Sequence, residues 1–177
     1  MAAVPPKALR LFTALWPPPP VRDALAALRD RWQWPAGAAL VEAARLHVTL
    51  HFLGSVPASR LPDLVAGLAV PCDKAQLRLD DAQQRVWPGG IAVLELQAPT
   101  VLQRLHARLG EALAQLGFPA DDRPWRPHVT LARKAAGARP AAASTLSPWH
   151  VDDGFALVCS VPGGGYETLH RYGVRKG

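Results

Sequence analysis

The tetrapeptide His-Val-Thr-Leu occurs twice in this chain of 177 residues, at residues 47–50 and again at residues 128–131. Both copies lie in stretches rich in β-branched and apolar residues, which are typical of β-strands. Side chains at i and i+2 of a strand point to the same face, so His47 should project beside Thr49 and His128 beside Thr130. Two such strands from two similar halves could bring both pairs to one cleft.

Two histidines that face one another can perform acid–base chemistry near neutral pH. The ordinary pKa of imidazole is about 6.5, so one ring can remove a proton while the other donates one. Phosphodiester hydrolysis needs both steps, because water is deprotonated and the leaving oxygen is protonated. The threonine hydroxyls can donate hydrogen bonds to the phosphate, although threonine is also a good strand former. This scheme requires no metal. His47 and His51 could in principle be metal ligands, but the motif offers no acidic or cysteine residue to complete such a metal site.

Composition narrows the class of protein and of partner. The apolar fraction of 49% is typical of a globular chain, and the net charge of +6 favours an anionic partner, nucleic acid above all, or reflects a merely basic surface. Cys72 and Cys159 predict neither a disulfide framework nor a zinc site. Residues 1–10 lack the apolar core of a signal peptide, and no apolar stretch approaches the roughly 18 residues that span a bilayer. We therefore expect a cytoplasmic protein that makes no membrane contact. We also expect a monomer, although nothing in the sequence determines the oligomeric state.

The hydrophobic pattern predicts the elements that must position the two motifs. Strands are predicted at residues 9–16, 46–53, 75–86, 91–97, 128–133, 155–161 and 166–174. Helices are predicted at residues 21–34, 61–68 and 101–116, a loop at 139–148 and a glycine turn at 163–165. Interleaved strands and helices with many hairpin signals predict an α+β fold. We expect residues 1–177 to form a single domain of two similar lobes, a pseudo-two-fold arrangement of antiparallel sheets with flanking helices and a central cleft between the lobes.

The motifs and their flanks resemble the 2H phosphoesterase superfamily, and most closely the RNA 2′,3′-cyclic phosphodiesterase (LigT-type) family. Residues 10–15, Arg-Leu-Phe-Thr-Ala-Leu, resemble the opening strand of that family, and residues 46–54 and 126–133 resemble its two motif strands. Ser160 and Tyr166 fall where the family has its C-terminal hairpin. The resemblance runs from about Arg10 to Tyr172, over nearly the whole chain.

This resemblance implies a reaction and assigns roles to the motif residues. The substrate would be an RNA that ends in a 2′,3′-cyclic phosphate, with tRNA fragments among the candidates, and the product a 2′-phosphate. The 3′-oxygen would then be the leaving group. By resemblance, His47 is the proton donor and His128 the proton acceptor, while Thr49 and Thr130 bind the phosphate. No cofactor is implied.

Further residues are candidates for substrate binding. His51 should share a strand face with His47 and so could line the cleft. Arg133 follows the second motif with the opposite strand parity, and its family-like position favours either substrate binding or a structural ion pair. Phe12 and Tyr166, together with Trp125, could stack on a nucleobase or could belong to the core.

Other functions remain open at this point. Superfamily relatives act on small cyclic nucleotides, cyclic ADP-ribose phosphates or 2′–5′ linkages, and a fold alone does not choose among these substrates. Reverse joining of RNA ends could occur at the same site. A non-catalytic module that binds RNA ends is a third possibility, but binding a phosphate does not need two titrating bases.

Overall fold

The computed structural model describes residues 8–119, 121 and 123–176. Residues 1–7 lie outside the described residues, and they include most of the segment for which the sequence predicts no signal peptide. Within the described chain, no helix is both long enough and apolar enough to cross a membrane. The described elements are β1 (Ala8–Leu15), α1 (Pro19–Asp30), β2 (Ala39–Leu40), β3 (Val48–Pro57), α2 (Leu61–Gly67), β4 (Ala75–Leu77), β5 (Gln83–Trp87), β6 (Ile91–Glu95), α3 (Thr100–Gln115), β7 (His128–Arg133), β8 (Trp149–Val151), β9 (Phe155–Val161) and β10 (Gly165–Tyr172).

The two motif strands lie side by side in the middle of one antiparallel sheet. The order of its strands is β10-β9-β1-β3-β7-β6-β5, with β2 also paired to β7, while β4 and β8 form a separate two-stranded sheet. β3 and β7 pair only at Val48 and Val129, the same position of the two repeats. Beyond that point β2 takes over the edge of β7, at Ala132 and Arg133. The predicted antiparallel sheets with flanking helices are confirmed, and the two halves of the sheet meet at the repeated valines.

The faces of the sheet differ in what covers them. The main core combines leucines of all three helices with alternate residues of the strands, such as Leu11 and Leu50. Each buried leucine contributes about 1.5–3 kcal/mol relative to an exposed one. The intervening residue Phe12 belongs instead to a small second cluster with Val158 and the partly buried Tyr166. This second face, which the helices leave open, carries the motif side chains.

The prediction of one continuous strand at residues 75–86 is wrong, because this segment contains two strands that belong to different sheets. Residues 75–77 pair with β8, whereas residues 83–87 pair with β6. Between them the chain turns, and Arg78 forms an ion pair with Asp80 at 3.0 Å. Polar residues in this turn end the first strand before the second one begins. The helix predicted at residues 21–34 also begins earlier and ends earlier, at Pro19–Asp30.

The first motif strand does not end before Gly54, as predicted from the bounds 46–53. β3 continues to Pro57, because Gly54 adopts φ +71° and accommodates an irregularity in the pairing with β1 between Leu11 and Phe12. Glycine has no Cβ, so this left-handed backbone carries no steric cost. The predicted glycine turn near residue 163 is confirmed, with φ +93° at Gly163 and +96° at Gly164.

Candidate active site

Each motif strand carries a β-bulge at the leucine of its tetrapeptide. The register of β3 with β1 skips Leu50, which lies between Thr49 and His51. The register of β7 with β6 skips Leu131 in the same way. A bulge adds one residue to a strand and so reverses the alternation of faces beyond it. Both strands therefore change parity after Thr49 and Thr130.

The bulge in β3 places His51 on the face of the sheet opposite His47 and Thr49, so the expectation that the three residues share a face is wrong. His51 is only 8% exposed, and its ring stacks on His106 with 4.0 Å between the centroids. Its backbone N–H donates to the buried hydroxyl of Thr13 at 3.1 Å, which gives the bulge a hydrogen-bond partner. The next residue, Phe52, faces the cleft instead.

The bulge in β7 has the opposite consequence for Arg133. Simple alternation would place this residue on the face opposite His128 and Thr130, but the extra residue Leu131 brings it to the cleft. Phe52 and Arg133 each follow their motif histidine by five residues, so they occupy equivalent positions in the two repeats. Among the described residues, Arg133 forms no ion pair.

Both His–Thr pairs line one cavity of about 410 Å³, a volume within the usual range of small-ligand sites. Its charged and hydrogen-bonding side chains include His47, Thr49, His128, Thr130, Arg45 and Arg133. No carboxylate is found along the described lining. The cavity therefore favours a bound anion, because it combines two hydroxyl donors, two imidazoles and two guanidinium groups and contains no fixed negative charge along its described lining.

The local chain fixes the tautomer of both histidines. Nδ1 of His47 donates to the carbonyl oxygen of Arg45 at 2.7 Å, and Nδ1 of His128 donates to that of Arg126, also at 2.7 Å. A carbonyl oxygen can only accept, so each Nδ1 carries a proton. Nε2 is therefore the atom of each ring that can exchange a proton. In the neutral His47 ring, Nε2 accepts a hydrogen bond from the Thr49 hydroxyl at 3.1 Å.

Aromatic rings enclose His47 and make its protonation costly. The ring centroids of Phe12, Trp16 and Tyr166 lie 5.2, 5.0 and 5.4 Å from that of His47. Burial lowers the pKa of His47 from its usual 6.5 to about 4. The hydrogen bond to the Arg45 carbonyl opposes this shift, whereas nearby cationic groups, including Arg133, add to it. In the unliganded protein His47 is therefore neutral at pH 7.

His128 lies in a different electrostatic environment. Its ring is 4.4 Å from that of Trp87, over which the Arg126 guanidinium lies at 4.5 Å. Burial also lowers the pKa of His128, but the hydrogen bond to the Arg126 carbonyl and the negative charge of Glu95 both oppose the shift. Glu95 is itself held by Arg126 at 2.8 Å and by the Trp87 indole at 3.1 Å.

Three charged or aromatic residues of the cavity were missed from the sequence: Arg45, Phe52 and Trp87. A signal existed for Arg45, because both repeats carry an arginine two residues before the histidine, at positions 45 and 126. The Arg45 guanidinium lies 4.7 Å from the centroid of Tyr166, and its buried Nε has no hydrogen-bond partner among the residues described. Nothing in the sequence around Trp87 indicates a place in the cavity, because the residues that follow it, Pro-Gly-Gly, indicate only a turn.

The predicted aromatic candidates divide between the cavity and its support. Phe12 and Tyr166 line the cavity with the His–Thr pairs. Trp125 does not line it; its indole N–H instead donates to the backbone carbonyl of Thr49 at 3.1 Å, which ties the segment before the second motif to the first. Within residues 8–119, 121 and 123–176, no group of three or more His, Cys, Asp or Glu is placed to hold a metal ion.

Comparisons with known proteins agree on one family. A family model described as the 2′-5′ RNA ligase superfamily matches residues 17–155. An RNA 2′,3′-cyclic phosphodiesterase from Thermus thermophilus is 34% identical over 186 residues, covering 94% of this chain and 91% of that protein. A protein of the same name from Escherichia coli is 34% identical over 131 residues, covering 73% and 74%. The solved structure of E. coli LigT complexed with 3′-AMP has a TM-score of 0.76 and 29% identity, covering 96% of this chain and 100% of that one.

Proposed function

Because the chain belongs to the 2′-5′ RNA ligase superfamily, we propose that it is an RNA 2′,3′-cyclic phosphodiesterase that converts a terminal 2′,3′-cyclic phosphate to a 2′-phosphate. One observation carries the proposal: two His–Thr pairs and two arginines line a single cavity that has no carboxylate along its described lining. The names of the relatives from T. thermophilus and E. coli support the same reaction and an RNA substrate.

The cavity contains the groups that the reaction needs. The hydroxyls of Thr49 and Thr130 donate to the non-bridging oxygens of the cyclic phosphate, where negative charge accumulates in the transition state. Nε2 of His128 removes a proton from water as the water oxygen bonds to phosphorus. The bond from phosphorus to the 3′-oxygen breaks, and Nε2 of His47 gives its proton to that oxygen. The product keeps its phosphate on the 2′-oxygen.

The donor role of His47 depends on the substrate. With a pKa of about 4, the unliganded His47 does not hold a proton at pH 7. The phosphate brings into the cavity the negative charge that its described lining lacks, and an anion close to an imidazole raises the imidazole pKa. The acid is thus generated when the substrate binds.

A substrate panel tests the reaction class. The panel contains a short RNA ending in a 2′,3′-cyclic phosphate, adenosine 2′,3′-cyclic phosphate, adenosine 3′,5′-cyclic phosphate and a 2′–5′ linked diadenylate. We expect hydrolysis of the first two, with the product identified as a 2′-phosphate by ³¹P NMR. Turnover of only the 3′,5′-cyclic or 2′–5′ compound would favour the other superfamily substrates. Binding of the RNA without turnover of any compound would favour a binding module.

A sulfur leaving group tests which histidine is the acid. A cyclic phosphorothiolate with sulfur in place of the 3′-oxygen loses a thiolate, which does not need protonation to leave. We expect H47A to recover most of its lost rate on this substrate, whereas H128A, which lacks the base, stays slow. Recovery by H128A instead would reverse the assignment.

We also propose that residues 1–177 form a single domain of two similar lobes that acts as a cytoplasmic monomer. The sheet shared by both halves supports the single domain. Light scattering coupled to size-exclusion chromatography tests the monomer, for which we expect a mass of 19.0 kDa. A mass of twice that value would contradict it.

A further inference from the structure

The two motif histidines have different neighbours on the strands that flank them. β1 and β6 pair with the motif strands in equivalent registers, since each places a leucine opposite the repeated valine. The next position along each flanking strand lies beside the motif histidine. Beside His47 this position is Trp16, with 5.0 Å between the ring centroids, and opposite His128 it is Glu95. The duplicated motifs are thus identical, whereas these neighbours are an indole in one half and a carboxylate in the other.

The Glu95 carboxylate holds both residues that keep the His128 ring in place. It accepts hydrogen bonds from the Arg126 guanidinium at 2.8 Å and from the Trp87 indole at 3.1 Å. The Trp87 ring lies against His128, and the backbone carbonyl of Arg126 accepts the hydrogen bond from its Nδ1. Glu95 does not line the cavity, although Trp87 and His128 do. It therefore reaches the reacting atoms only through its neighbours.

Glu95 also sets the charge around His128. Burial tends to raise the pKa of Glu95, but the hydrogen bonds from Arg126 and Trp87 hold that pKa below its usual range, so the side chain is charged at pH 7. Its charge favours a proton on His128, whereas the charges of Arg126 and Arg133 disfavour one. The charged and titratable groups around His128 are Glu95 on β6, Arg126 before β7, Arg133 at the end of β7, His47 before β3 and, through a 3.6 Å ion pair with Glu95, Arg85 on β5. Glu95 is the one carboxylate of this group.

We propose that Glu95 is a positioning residue of the reaction, which holds His128 in place as the base and stabilises its ring once the ring has taken a proton from water. The inference rests on the proposed function and concerns the same site. As the water oxygen bonds to phosphorus, its proton passes to Nε2 of His128 and the ring becomes a cation, which a fixed carboxylate stabilises. Trp16 offers His47 only an apolar surface, which favours loss of a proton. Glu95 and Trp16 thus give two identical motifs opposite roles.

The test is the pH dependence of kcat for a short RNA ending in a 2′,3′-cyclic phosphate. Because His47 is the protonated acid of the complex, activity at low pH is lost when His128 takes up a proton. E95Q keeps the hydrogen-bond acceptor but removes the charge. We expect it to move the acid limb by about 1 pH unit to lower pH and to lower the plateau of kcat by less than about 10-fold. E95A, which also releases Trp87 and Arg126, should be slower still.

R126Q tests the same interaction from the cationic side. It removes a charge that disfavours a proton on His128 and leaves the backbone carbonyl that holds the ring, so the acid limb should move to higher pH. Damage to the fold would lower kcat without moving the limb in opposite directions in E95Q and R126Q. D80N is the matched control, because it breaks another carboxylate–arginine pair, at 3.0 Å, outside the cavity. It should leave the profile unchanged.

The outcomes separate this inference from the proposed function. An acid limb that stays in place in both E95Q and R126Q, or a shift confined to the basic limb, would overturn the role of Glu95 while hydrolysis by the wild type upheld the proposed function. Failure of the wild type to hydrolyse the RNA would overturn both.

Discussion

The titration of His47 is the sharpest consequence of the cavity's electrostatics. Enclosed by Phe12, Trp16 and Tyr166, this ring has a pKa of about 4 in the unliganded protein. An acid that is half protonated at pH 7 needs a pKa of 7. Bound phosphate must therefore raise the pKa of His47 by about 3 units, which is about 4 kcal/mol of interaction between the phosphate and the protonated ring.

That magnitude is within reach of one anion. Two opposite unit charges about 4 Å apart attract each other by about 4 kcal/mol at the effective dielectric constant typical of protein sites. Arg133 lowers the pKa of His47 in the free protein, and bound phosphate also offsets that positive charge. A phosphate within hydrogen-bonding distance of Nε2 thus supplies the required shift without any rearrangement of the chain.

NMR of ¹³C-labelled histidine rings measures the shift directly. The ring signals are followed against pH in the free protein and with adenosine 2′-monophosphate, the product of the proposed reaction, and H47Q assigns the His47 signal. We expect the midpoint of His47 to rise from about 4 to about 7 or higher. As the pH rises, kcat/KM, which reports the free enzyme, should then begin to fall at a lower pH than kcat, which reports the complex.

A His47 midpoint that stays near 4 in the complex would refute this reasoning. If His128 alone rose to about 7 or higher, the two histidines would have exchanged roles, with His128 as the donor. Such a result would leave the two-histidine chemistry intact but would contradict the assignment by resemblance.

Other consequences follow from single contacts. T49V and T130V should each lower kcat/KM by about 10- to 150-fold, since a hydrogen bond to a charged group contributes about 1.5–3 kcal/mol, and serine at either position should restore most of the rate. W125F should lower the free energy of unfolding in urea by about 1 kcal/mol through loss of the bond to the Thr49 carbonyl; an unchanged midpoint would show that this bond contributes nothing. Burial lowers the pKa of both His51 and His106, so the unfolded chain binds more protons and the melting temperature should fall as the pH drops below about 6.5. H106Q should flatten that dependence, and a curve as steep as that of the wild type would contradict it.

The sequence predicts the bounds of β7 and β9 correctly because the information that defines them is local. These strands lie at the predicted residues 128–133 and 155–161, and both His–Thr pairs line one cavity. Each of these features depends on residue type and on alternation over a few positions.

The errors arise where one residue changes the register. A bulge at Leu50 or Leu131 leaves no mark in composition, yet it reverses which of the following side chains reaches the cleft. His51 was therefore placed on the wrong face, Arg133 was given the wrong parity and Phe52 was overlooked. Trp87 reaches His128 only because β5 pairs with β6 and β6 with β7, which is a long-range arrangement that local pattern does not reveal.

Hydrolysis of a short RNA ending in a 2′,3′-cyclic phosphate, in excess chelator, tests the central claim most directly. The wild type is compared with H47A, H128A and the control H150A, whose residue is exposed and lies in the separate two-stranded sheet. We predict that the wild type and H150A form the 2′-phosphate, and that H47A and H128A are each slower by about 10²–10⁴-fold. Loss of wild-type activity in chelator, or full turnover by either motif variant, would contradict the metal-independent two-histidine mechanism.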